Sequence, residues 1–119
     1  MNRLVLVAVF AASTTAMSVL GLQQEVPPKP LQLDITTDYE GAVSVAVLRW
    51  REDADDELGF EILRSDNNED FKVVGIVGAN TTRYRDSIGK YISGAFRYKV
   101  RGFNEAGRGE ATDPVSVWF

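Results

Sequence analysis

Beyond residue 30 the apolar residues come in runs of four to eight, and the runs alternate. Leu31, Leu33 and Ile35 face one way against Gln32, Asp34 and Thr36. Phe96, Tyr98 and Val100 do the same against Arg97, Lys99 and Arg101. A period of two is that of a strand with one buried face. No helical period longer than two turns occurs, and Gly, Asp, Asn and Ser punctuate the runs. The spacing predicts seven strands: 31–37, 43–50, 60–64, 71–77, 81–85, 96–103 and 115–119. Seven short strands without helices predict an all-β, antiparallel β-sandwich. On the second strand, parity points Ala46, Leu48 and Trp50 inward and Val45 and Val47 outward.

The first 30 residues read differently. Asn2 and Arg3 precede the apolar run Leu4–Ala12, then Ser13, Thr14 and Thr15, then small residues. This is the composition of a secretory signal peptide over residues 1–21, with cleavage after Gly21 or after Ala16. The alternative is an uncleaved membrane anchor, although the run reaches spanning length only by counting Ser13, Thr14, Thr15 and Ser18. Residues 22–27 read as a linker. Pro27, Pro28 and Pro30 hold it extended and deny it a helix. Residues 28–119 form the single domain.

Composition excludes several functions. The chain has 119 residues, 13 Lys+Arg, 17 Asp+Glu, no His and no Cys. Disulfides, Cys metal sites, His bases and His ligands are therefore absent. A net charge of −4 opposes nucleic-acid binding, which needs a basic footprint. Ser44, Ser65, Ser87 and Ser93 sit in no nucleophile elbow. The reading is non-enzymatic, with no cofactor and no metal. A hydrolase is the weakest alternative, since its general base would come from an unshielded loop.

Several motifs in chain order resemble the fibronectin type III family, over essentially the whole of residues 28–119. Pro28-Lys29-Pro30-Leu31 resembles its proline-led first strand. Trp50 resembles its core Trp. Gly59-Phe60-Glu61-Ile62 resembles its third-strand motif, and Tyr84-Arg85-Asp86 its fifth-strand Tyr-x-Asp. Phe96-Arg97-Tyr98-Lys99-Val100-Arg101 resembles its sixth-strand motif, and Asn104 to Gly109 its turn before the last strand. The resemblance implies immunoglobulin-like topology and a core of Trp50, Phe60, Ile62, Tyr84, Phe96, Tyr98 and Val100. It also implies adhesion, recognition or spacing roles. Two departures stand out. Phe96 replaces a Tyr whose hydroxyl ties the corner, a loss of about 1 kcal/mol if nothing replaces the bond. The segment Ser87–Gly94 lacks the family's spelling, so Ile88, Tyr91 or Ile92 supplies the plug residue.

Five candidate sites follow. Arg108-Gly109-Glu110 resembles an adhesion tripeptide with Glu in place of Asp; its plain reading is turn chemistry. The run Glu52 to Glu57 brings Asp53, Asp55 and Asp56 together, which reads as a solvated acidic loop that steers a basic partner or holds a hard cation. Arg97, Lys99 and Arg101 form a basic stripe that Glu61 pairs across to, or that meets an acidic glycan. Tyr39 and Tyr91 are surface aromatics suited to a contact. Asn80-Thr81-Thr82 fits the N-glycosylation pattern. The expected role is a secreted or periplasmic binding module for an extracellular or envelope protein or glycan, acting through loops or a sheet edge. The alternative is a structural spacer or a subunit tethered to a membrane by an uncleaved N-terminal helix.

Overall fold

The computed structural model describes the backbone of residues 4–10 and 18–119 and the side chains of residues 24–119. Strands β1 (Leu4–Phe10) and β2 (Ser18–Gln24) pair antiparallel, with Leu4 opposite Gln24 and Phe10 opposite Ser18. This two-stranded sheet joins neither sheet of the sandwich. Leu4–Phe10 is a strand, as its alternate Val residues favour. No helix among the described residues is long and apolar enough to cross a membrane. The cleavage position after Ala16 lies outside the described residues.

The sandwich follows in sequence order: β3 (Leu31–Glu40), β4 (Val43–Arg51), β5 (Gly59–Asp66), β6 (Lys72–Gly78), β7 (Arg83–Lys90), β8 (Ala95–Asn104), β9 (Gly107–Arg108) and β10 (Val115–Trp118). One sheet runs β3-β4-β7. The other runs β10-β8-β5-β6, with β9 added to β8. All pairings are antiparallel. The seven expected strands are all present, and β9 makes eight. The turn after β5 places Asn67 and Asn68 at φ of 49° and 66°, the left-handed region that Asn tolerates.

The core lies between the sheets. Ala46, Leu48 and Trp50 from β4 meet Phe60 and Ile62 from β5, Phe96, Tyr98 and Val100 from β8, and Val117 from β10. The Trp50 and Phe60 rings pack edge to face at 5.5 Å. Tyr84 is half-buried against this cluster, and its hydroxyl donates to Val74 O at 3.4 Å. Ile88 and Ile92 both pack on the core, whereas Tyr91 is 89% exposed. That removes Tyr91 as the plug.

A polar network crosses the core. Tyr98 Oη donates to Asp86 Oδ2 at 2.6 Å, and Arg64 Nη1 donates to the same oxygen at 2.8 Å. Arg64 Nε also reaches Asp66 Oδ1 at 2.6 Å. Burial, then the bond to Asp86, pushes the Tyr98 hydroxyl far above the usual phenol range. Burial opposes the Arg64 charge, but the two carboxylates outweigh it and raise its pKa. This network sits one inward position along from Phe96 and supplies a different hydroxyl bond from the one that Phe96 lacks.

One expectation about faces is corrected. Val45 and Val47 point to the outer face of β4 but are buried. Their cross-strand neighbours explain it. Val47 lies between Thr36 and Arg85, and Val45 between Asp38 and Ser87. Arg85 on β7 bonds Asp38 at 2.9 Å and Glu40 at 2.8 Å, both on β3. To reach them its side chain must cross the central strand. Long cationic side chains cover apolar surface with their stems in this way.

The entry segment is fixed to the sandwich. Asn104 Nδ2 donates to Glu25 O at 2.7 Å and to Asp56 O at 3.2 Å. Pro27 is buried against two glycines. A Cβ on Gly109 would collide with the Pro27 carbonyl, and one on Gly102 with the Pro27 ring.

Candidate interaction face

The outer face of the β5–β6–β8 sheet gathers the charge. Alternation on β8 turns Arg97, Lys99, Arg101 and Phe103 outward, because Phe96, Tyr98 and Val100 fill the core. Register then sets their neighbours. Arg101 lies opposite Glu61, and Glu61 opposite Ile76. Lys99 lies opposite Leu63, and Leu63 opposite Val73.

Glu61 holds the centre of this face. Its Oε1 accepts from Arg101 Nε at 2.9 Å and from Arg108 Nε at 2.8 Å. The carboxylate is buried, which pushes its pKa up, but the bonds from Arg101 and Arg108 outweigh that and hold it below the usual range. The expected cross-strand pairing is present, extended by Arg108 from β9. Arg97 and Lys99 do something else. Both stand over the Phe71 ring, Lys99 Nζ at 4.4 Å and the Arg97 guanidinium at 5.2 Å. Such contacts contribute about 0.5–1 kcal/mol at exposed sites. Four cations against one acid leave the face positive on a chain whose net charge is −4.

Apolar side chains border those cations. Ile76 is 64% exposed and Val73 41%. Ile76, Phe103, Glu61, Asn104, Gly107 and Arg108 line a depression of about 350 Å³. Sequence reading found the basic stripe and Glu61. It missed Phe71, Ile76 and Phe103, because only the sheet order brings β6 beside β5 and β8. Alternation on β8 was the available signal for Phe103.

The other candidates are placed as follows. Arg108 belongs to β9 and turns to Glu61, while Gly109 N donates to Gly102 O at 2.8 Å. Glu110 is exposed. The glycine's role is the close approach to Pro27, so the tripeptide is divided between a sheet face and a packing contact. The acidic run is corrected as a solvated loop. Asp53 and Asp55 are exposed, but Asp56 and Glu57 are buried, and both Asp56 carboxylate oxygens lack a hydrogen-bond partner among the described residues. Burial, then the Glu57 charge, raises the Glu52 carboxyl. No group of three acidic residues able to hold a metal occurs among the described residues. Asn80 is exposed in a turn at φ 63°. Tyr39 is exposed on β3, its ring edge-on to Phe119 at 5.9 Å.

No family model matches the chain, and no curated protein does. Solved structures do. A crystal structure of titin domains matches with TM-score 0.62 at 20% identity, covering 87% of this chain and 38% of that one. The FN1-FN3 domains of chicken CNTN1 match with TM-score 0.63 at 14% identity, covering 98% and 43%. A myokine structure matches with TM-score 0.57 at 18% identity, covering 77% and 96%. The chain thus spans less than half the length of the titin and CNTN1 chains. Identities this low carry the fold alone. With the seven expected strands, the Trp50 core and these neighbours in agreement, the chain has an immunoglobulin-like sandwich of the fibronectin type III kind.

Proposed function

We propose that this chain is an exported, non-catalytic binding module that takes a protein partner on the outer face of β5, β6 and β8. One observation carries the reading. Arg97, Lys99, Arg101 and Arg108 are gathered beside Ile76, Val73 and Phe71 on one face, while the opposite outer face is roofed by Arg85. Mixed cationic and apolar surface at a rim is what protein contacts use. Export is supported by the leader composition of residues 1–21.

The test is affinity capture from the native envelope and medium after light crosslinking. Lys99→Glu with Ile76→Glu should lose the partner. Arg83→Glu on β7 should keep it. Loss with Arg83→Glu alone, or with neither, sinks the reading. Mass measurement of the recovered chain checks leader cleavage: a mature protein starting near residue 22 supports it, and an intact Met1 refutes it.

A second reading is a spacer. The packing of Pro27 against Gly102 and Gly109 favours it, because a fixed entry segment sets the angle between neighbouring domains. Recovery without any partner, from wild type and variants alike, is its expected outcome.

A further inference from the structure

Four edges bound the two sheets, and three are guarded. Charged residues interrupt β3 (Asp34, Asp38, Glu40) and β7 (Arg83, Arg85, Asp86, Lys90). The third, β10, is only four residues long, and a short edge offers little to pair with. The fourth edge, β6, begins at Lys72 but carries no charge from Val73 to Gly78, and Val74 O on it accepts from the Tyr84 hydroxyl. An uncharged edge presents unpaired N–H and C=O groups that can accept another strand. The register shift on β6 pairs Gly75 with Ile62 and Val73 with Leu63, leaving Val74 as the extra residue. A bulge twists an edge and blunts it against long partners, so a segment that pairs here is short.

The side chains next to this edge specify what that segment carries. At the start of β6, Lys99 and Arg97 hold their charges over Phe71. Towards its end, the depression between Ile76 and Phe103 offers apolar walls, with Arg108 at the rim. Building on the protein-binding role proposed above, we infer that an extended acidic segment adds to β6 as a further strand. It sets an apolar side chain against Ile76, the wall of that depression nearest the edge, and carboxylates towards Lys99 and Arg97 over Phe71. Backbone pairing supplies affinity and the alternate side chains supply selectivity.

The test uses the isotope-labelled full chain and a capped nonapeptide, the Val–Glu peptide, in which Val and Glu take turns along one face of the strand and Thr fills the other. Controls are a Val–Lys peptide, the Val–Glu peptide with a central Pro, and a sulfated oligosaccharide. Saturable Val–Glu binding should slow exchange of the amides from Val73 to Gly78. Affinity should fall about tenfold with Ile76→Lys, and about tenfold between roughly 0.05 and 0.5 M salt. Both control peptides should bind about tenfold more weakly, since one reverses the charges and the other removes a backbone donor. Absence of saturation at millimolar peptide overturns strand addition. So does tighter binding of the oligosaccharide, or dimerisation through β6 without peptide. Shifts at Arg97, Lys99 and Arg101 without slowed β6 amides would keep the face and discard the added strand. Responses confined to the loops would discard both.

Discussion

The Tyr98 hydroxyl donates to Asp86 across the core at 2.6 Å, and Arg64 donates to the same carboxylate oxygen. Two donors from the five-stranded sheet thus converge on one acceptor from the three-stranded sheet. Removing either leaves a buried charge with less solvation than it needs. Tyr98→Phe should cost about 1–3 kcal/mol, the range for an unsatisfied buried group. Arg64→Met should cost more, about 3–5 kcal/mol, because it strands the Asp86 charge. Urea unfolding of both variants checks the order. Equal losses would mean that Arg64 is held by Asp66 alone.

Trp50 packs on Phe60 at the centre of the core. Trp50→Ala should cost about 3–5 kcal/mol, as truncation of a buried aromatic does. An unchanged melting midpoint would contradict the packing described.

Gly109→Ala drives a methyl into the Pro27 carbonyl. The expected loss is about 1–3 kcal/mol, typical of overpacking. Hydrogen exchange should show the backbone near Glu25 opening at the same time, because the entry segment must lift for the methyl to fit. Exchange unchanged there would separate the glycine from the docked segment.

Two carboxylates pull in opposite directions with pH. Glu61 is held below the ordinary glutamate value of 4.5 by Arg101 and Arg108, against the effect of burial. Its contribution is complete above that value and lost as pH falls through its folded pKa. Glu52 is raised above the same ordinary value by burial and the Glu57 charge. Its contribution is complete below 4.5 and lost as pH rises through its folded pKa. Glu61→Gln should flatten the acid limb of the stability curve, and Glu52→Gln should raise stability at neutral pH. Chemical melts between about pH 3 and 8 check both signs. Reversal of either sign would mean that the partner assigned to that carboxylate is wrong.

Arg85→Ala should uncover Val45 and Val47. Increased binding of a hydrophobic dye, with the chain still folded, is the expected result. Unchanged dye binding would show that other neighbours keep the valines covered.

The strands were legible because a period of two survives along each run and Gly or Asn marks each turn. The two residues of β9 carry no period and could not be read. Faces were legible where only parity mattered, as on β8. They failed at Val45 and Val47, because their cover comes from Arg85, about forty residues further along. Asp56 and Glu57 failed for a similar reason: charge runs are ordinarily solvated, and the Asn104 bond to Asp56 spans 48 residues. Arg64 could have been found. It shares parity with Phe60 and Ile62, so an inward cation was already demanding an inward acid. Lys99, Arg101 and Glu61 were readable from one strand and its neighbour. Ile76 and Phe71 needed the sheet order.

The span of Arg85 across β4 makes the sandwich one-sided. A tile with two bare faces stacks without end, while a tile with one has a valence of one and stops at the first encounter. By tying the edge strands β3 and β7 together across β4, a single guanidinium closes one face and leaves the other, with Ile76 and Val73 exposed, as the bare one.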